Sequence, residues 1–141
     1  MSTSRQQRRK AGRAAAIVAV LAALVALPAL AFAHGSYRAR AVQPSFDQGE
    51  LRLIGSGAYG TQRLHAQIRV TVCLRKRYGG RFFAVRCMTD SDDDRRVRAQ
   101  VSVPGCVKGV WRTTARGEAL GRRGRWTHAA FHVSRPFRCA T

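Results

Sequence analysis

The run Asp90-Ser91-Asp92-Asp93-Asp94 sets carboxylates at alternate positions, the pattern in which oxygen ligands can surround a calcium ion. The helix-loop-helix calcium pattern fails, because its required Gly and Glu positions hold Arg95 and Val101. Two readings remain: a simpler calcium-binding β loop, and a solvated hairpin tip whose repulsion is offset by Arg95, Arg96 and Arg98. The second is favoured. His128 and His132 suit one metal ion only on a helix, since four residues of strand span about 13 Å. His34 would combine its imidazole with a free amine only as a new N-terminus, and no second histidine is close in sequence. The cysteines Cys73, Cys87, Cys106 and Cys139 lack the close pairing of a zinc site. Nucleophilic chemistry lacks support as well: no G-x-S-x-G, no cysteine expected to be free, and no recognisable Ser, His and Asp order. Asp47, Glu50, Glu118 and the acidic run offer no reasoned carboxylate pair for glycoside hydrolysis. The stretch Gly55 to Gly60 follows no phosphate-loop pattern and reads as a bulge or turn. The sequence therefore predicts no catalytic residue, metal ligand or cofactor, and a protein that is not an enzyme.

Arginine supplies the remaining chemistry. The 141 residues hold 26 Lys and Arg against 7 Asp and Glu, a formal net charge of +19. Period two places Arg69 and Arg75 on the polar face of one strand, and Arg96 and Arg98 lie on another. Arg112, Arg116, Arg122, Arg123 and Arg125 gather towards the C-terminal half. Guanidinium forks match the oxygens of phosphate and carboxylate, so Arg69, Arg75, Arg112, Arg116, Arg122, Arg123 and Arg125 are the candidate polyanion-binding residues. Tyr59, Trp111 and Trp126 suit either stacking on a ligand or burial in a core. The competing explanation is compositional: Arg and Ala are over-used under GC-rich coding, and net charge speaks to association rather than to fold.

What must position these groups begins after a leader. Arg5, Arg8, Arg9, Lys10 and Arg13 precede an apolar stretch from Ala14 to Leu30, and Ala31-Phe32-Ala33 supplies the small residues a signal peptidase reads. Residues 1–33 are thus expected to be a signal peptide, with membrane contact only through this leader before cleavage. Lys10-Ala11-Gly12 lacks the apolar residues of a twin-arginine signal, which favours the general secretory route. Export would leave 108 residues carrying 21 basic and 7 acidic side chains, about +14. Four cysteines in a short exported domain predict two disulfides, and sequential pairing, Cys73 to Cys87 and Cys106 to Cys139, is preferred among the three connectivities.

Residues 34–48 lack a clear period and read as a flexible N-terminal arm before a domain at 49–141. Leu64, Ala66, Ile68, Val70, Val72 and Leu74 alternate with polar partners, as do Val97, Ala99, Val101 and Val103, so both segments read as strands. Shorter strands are expected at 50–55, 81–88, 107–116, 126–133 and 137–140. Turn signals fall at Gly55-Ser56-Gly57, Gly79-Gly80, the acidic run, Pro104-Gly105 and 121–124. Six or seven strands without a mature helix predict an all-β fold, a single antiparallel sandwich of immunoglobulin-like size behind an N-terminal signal helix. A two-residue Gly79-Gly80 turn sets Cys73 and Cys87 on opposite faces; a three-residue turn sets them opposite each other but turns Arg86 inward. A bulge between turn and cysteines reconciles the two, and the alternative is that Cys87 bonds Cys106 or Cys139.

Val70 to Leu74, with its V-x-V-C-L pattern, together with Cys106, Gly109, Trp111-Arg112-Thr113, Gly117 and Cys139, resembles small uncharacterised secreted disulfide-bonded β proteins of high-GC Gram-positive bacteria. The resemblance spans Leu64 to Cys139 and implies fold and export, with no site residue carried over. The expected function is a secreted or cell-wall-associated, non-enzymatic interaction module for anionic cell-envelope polymers. The alternative is a small structural or inhibitory domain that binds an unidentified extracellular protein, its charge incidental. Export argues against intracellular nucleic acid as a partner.

Overall fold

Alternation along the chain becomes strand wherever one face finds apolar cover. The computed structural model describes residues 37–63, 65 and 67–140. The expected leader at 1–33 and its expected cleavage site lie outside the described residues. Nine strands run in order: β1 (Tyr37–Ala41), β2 (Ser45–Asp47), β3 (Arg52–Thr61), β4 (Ile68–Tyr78), β5 (Arg81–Asp92), β6 (Arg96–Pro104), β7 (Gly109–Leu120), β8 (Trp126–Val133) and β9 (Phe137–Cys139). They make two antiparallel sheets. In the four-stranded sheet β3 is central, pairing β6 on one side and β1 and β2 on the other. The five-stranded sheet runs β5-β4-β7-β8, with β9 also on β7.

The buried residues of both sheets belong to one hydrophobic cluster, which includes Leu53 and Tyr59 on β3, Val70, Val72 and Leu74 on β4, and Ala115 on β7. Here the glycines of β3 matter. Gly55 and Gly57 were expected in a turn, yet both lie within the strand. A Cβ on Gly55 would come within 2.9 Å of the Leu74 side chain, and one on Gly57 within 2.9 Å of Val72 and Ala115. Close approach between strands, rather than chain reversal, is what these glycines permit. Tyr59 is fully buried in the same cluster, and burial, with smaller contributions from Tyr37 and Glu118, pushes its phenol up to about 12.

Residues 37–47 are a second correction. The expected arm is β1 and β2, because Tyr37, Ala39 and Ala41 alternate with Arg38 and Arg40 and lie against β3 in register from Tyr37–Thr61 to Ala41–Gly57. Five residues with two alanines were too short and too weakly apolar to announce a strand. The acidic run is a third. Asp90 and Asp92 belong to β5, and the segment that follows crosses from the five-stranded to the four-stranded sheet, so it is not a hairpin tip.

The β4–β5 hairpin follows the reconciled geometry. Tyr78 pairs with Arg81 across Gly79 and Gly80, whose φ values of 52° and 85° suit a two-residue turn that needs positive φ at both central residues. The register then shifts at Leu74/Arg75, leaving Val85 as the extra residue, and Cys73 faces Cys87 in a disulfide with Cα atoms 4.0 Å apart. Cys106 and Cys139 form the second disulfide, as sequential pairing expects. It ties the β6–β7 connection to β9.

Candidate anion-binding face

Antiparallel partners share a face, so register alone places most of the arginines. On β4 Ile68, Val70, Val72, Leu74 and Lys76 are buried on one face, which leaves Arg69, Arg75 and Arg77 on the other, together with the disulfide-bonded and buried Cys73. On β7 the partners of Arg75 and Thr71 are Arg112 and Arg116, and Glu118 is the partner of Arg69. Four of the seven candidates, Arg69, Arg75, Arg112 and Arg116, therefore lie on the outward face of the five-stranded sheet. Two more join them. Arg77 continues β4 in the same phase as Arg75, and Arg138 of β9 pairs with Val110, two residues from Arg112. Arg77 was legible by period two once the strand ran to Tyr78; Arg138 needed the β7–β9 pairing.

Arg122, Arg123 and Arg125 do not belong to this group. They occupy the β7–β8 connection, closed by Gly121 N–H donating to the Arg125 carbonyl at 2.7 Å. β7 runs eight residues beyond Arg112 to Leu120, about 26 Å, before that connection begins.

The face has two chemically different ends. At one, Glu118 takes up the charge. Arg69 donates to its carboxylate through Nε and Nη2 at 3.0 Å, and Arg116 contacts the other oxygen at 3.3 Å. The Arg69 guanidinium also lies 4.0 Å from the centroid of the Trp126 ring, which orients it further. At the other end Arg75 and Arg112 are direct cross-strand partners with no carboxylate between them. Arg75 Nε donates to Thr114 Oγ1 at 3.2 Å, and the Arg112 guanidinium sits 3.9 Å over Phe82. Arg112 Nε is buried without a hydrogen-bond partner. Burial first, and the Arg75 charge second, pull the Arg112 pKa below its usual value. The cation is thus held beside a like charge on an aromatic support, where an oxyanion would relieve the repulsion.

The aromatic residues divide between the two expected uses. Trp111 is buried and donates through Nε1 to the Val107 carbonyl at 2.9 Å, so it serves the core together with Tyr59. Trp126 is half-buried beneath Arg69 on the basic face. His132 accepts the Ala41 N–H through Nδ1 at 3.0 Å. Among the described residues no group of three His, Cys, Asp or Glu is arranged to hold a metal ion.

No family model and no curated protein matches the chain.

Removing the carboxylate that pairs with Arg69 and Arg116 tests the electrostatics of this face. Glu118→Gln is expected to cost about 1 kcal/mol of stability, since it breaks two partly exposed ion pairs. It should also raise retention on a polyanionic resin, because Arg69 and Arg116 lose their counter-charge. A thermal melt and a salt-gradient elution measure the two effects; earlier elution would contradict the assignment.

Proposed function

We propose that this chain is an exported, basic, non-enzymatic domain that holds anionic cell-envelope polymers on the outward face of its five-stranded sheet. In this reading residues 1–33 direct export, and the two sheets are the layers of a β-sandwich of immunoglobulin-like size. The observation that carries it is the Arg75–Arg112 pair. Like charges directly opposite on neighbouring strands are destabilising, and this pair lies beside Arg77 and Arg138 with no ion pair to an acid among the described residues. Chain-like phosphate or carboxylate polymers offer repeated oxygens to such a row, and Phe82 beneath Arg112 keeps one guanidinium flat.

Salt dependence tests the reading. Binding to isolated wall polymer or a heparin-like resin should fall steeply with salt, as each neutralised anion releases a counterion. Arg75→Gln with Arg112→Gln should flatten the log–log salt slope by about 1.5, two contacts' worth for a flexible polyanion. An unchanged slope would overturn the assignment to this face.

A second reading has its own observation. β5 is an edge strand, and Phe83, Val85 and Met88 on it are 53%, 46% and 46% exposed. An extended segment of another protein adding to that edge would cover them, the mode of a small structural or inhibitory domain. The arginine double variant keeping a protein partner at full affinity would favour this reading over the first.

A further inference from the structure

The four-stranded sheet also has an outward face, and its side chains follow from register. Arg38 of β1 pairs with Gly60 of β3, which pairs with Arg96 of β6. One row along, Arg40 pairs with Ala58, which pairs with Arg98. Four exposed arginines therefore stand at the corners of a floor made only of Gly60 and Ala58. Strand spacing puts opposite corners about 10 Å apart, and two residues along a strand separate the rows by about 7 Å. Arg38, Arg40 and Arg96, though not Arg98, also border an open depression of about 1020 Å³ that includes Ala58 and Gly60 and continues past β1 to His132 and Arg135. Among the described residues none of the four arginines forms an ion pair.

The floor is the informative part. Unlike Gly55 and Gly57, Gly60 is not kept small by packing: a Cβ there would meet nothing nearer than the Arg95 carbonyl at 3.6 Å, an ordinary contact. Nor does Gly60 need a left-handed backbone, since its φ is not positive. Gly60 is the penultimate residue of β3, paired on both sides, and neither sterics nor conformation requires glycine there. What its bareness does provide is depth: guanidiniums from both flanking strands can converge over Gly60 and Ala58 on one bound group.

We propose that this cradle is a second, separate anion site, built for a phosphate-bearing chain. Four guanidiniums concentrate more positive charge than one carboxylate neutralises, and each fork can take two oxygens of a tetrahedral phosphate. A chain with phosphates about 7 Å apart would meet successive rows. The site shares the anion chemistry proposed for the Arg75–Arg112 face but none of its residues, so the two can fail independently.

Calorimetric titration of the whole chain with inorganic triphosphate separates them. Two equivalents should bind at low salt. Arg40→Gln with Arg98→Gln should remove one equivalent or weaken it by about tenfold or more, having broken two charge-assisted contacts. Gly60→Leu should do the same with every charge retained, by filling the floor; its melting temperature should stay at or above that of the unaltered chain. Arg75→Gln with Arg112→Gln should leave the cradle equivalent intact. If Arg40→Gln with Arg98→Gln and Gly60→Leu both keep stoichiometry and affinity unchanged, the cradle is overturned. If only the cradle variants lose binding, the cradle stands and the Arg75–Arg112 face does not.

Discussion

Replacing Cys106 and Cys139 with serine is expected to lower stability by about 4 kcal/mol, the loop-closure entropy returned to the unfolded chain when a loop of this size is opened. The two cysteines are 33 residues apart in sequence, against 14 for Cys73 and Cys87, whose loss should cost about 3 kcal/mol in the same terms. The fold sharpens the difference. β9 is three residues long and pairs with Gly109 to Trp111, so the Cys139 bond adds a covalent tie to a short pairing near the end of the chain. Cys73 and Cys87, by contrast, sit within the long β4–β5 pairing from Ile68–Asp92 to Tyr78–Arg81, whose backbone ladder does not depend on the bond for its closure. For a domain near 100 residues, 4 kcal/mol corresponds to a fall in melting temperature of about 15 to 30 °C. Thermal unfolding of the double variant beside the Cys73→Ser, Cys87→Ser pair measures both; a larger loss for the shorter loop would contradict the argument.

Gly117→Ala is expected to be nearly as damaging, although it adds a single methyl group. Gly117 is buried on β7, and a Cβ there would fall inside the ring of Tyr59. Tyr59 is fully buried and belongs to the shared hydrophobic cluster, so its ring can yield only by displacing β3 or by opening a void. Overpacking of this kind costs about 3 kcal/mol. The cause is specific and can be isolated by a double-mutant cycle. In a Tyr59→Leu background, itself destabilised, Gly117→Ala should cost at least 1 kcal/mol less than it does alone. Denaturant unfolding of the four proteins reads the coupling. Strict additivity would mean that the ring is not what excludes the methyl group.

Gly117 also shows how far a sequence can be read. Nothing local marks it: it lies in the middle of a strand, and its need for bareness comes from a tyrosine 58 positions earlier in the other sheet. Gly55 and Gly57 misled for the same reason. Glycine in a sequence signals a turn because turns need its φ, whereas here the chain stays extended and uses the missing side chain for close contact with β4 and β7. Gly79-Gly80 was legible because both causes coincided, a two-residue gap between alternating segments and a demand for positive φ. β1 escaped because its alternation involves two alanines, which bury too little surface to register as a pattern until β3 is beside them.

The arginine sites divide along the same line. Period two assigned Arg69 and Arg75 to one face from sequence, since alternation needs no knowledge of neighbours. That Arg112 stands opposite Arg75, that Glu118 absorbs Arg69 and Arg116, and that Arg122, Arg123 and Arg125 lie at the far end all depend on strand pairing.

By itself the sequence determined the local and additive properties: an all-β chain, a strongly basic one, with an even set of cysteines and a two-residue turn at Gly79-Gly80. These rest on side-chain alternation, charge counting and backbone preference, each readable within a few residues. The tertiary structure alone decided which cations stand together, which carboxylate cancels them, and which glycines the packing requires. Those are long-range relations, set by register between strands that the sequence keeps tens of residues apart. A one-residue slip would have turned each of those side chains to the other face.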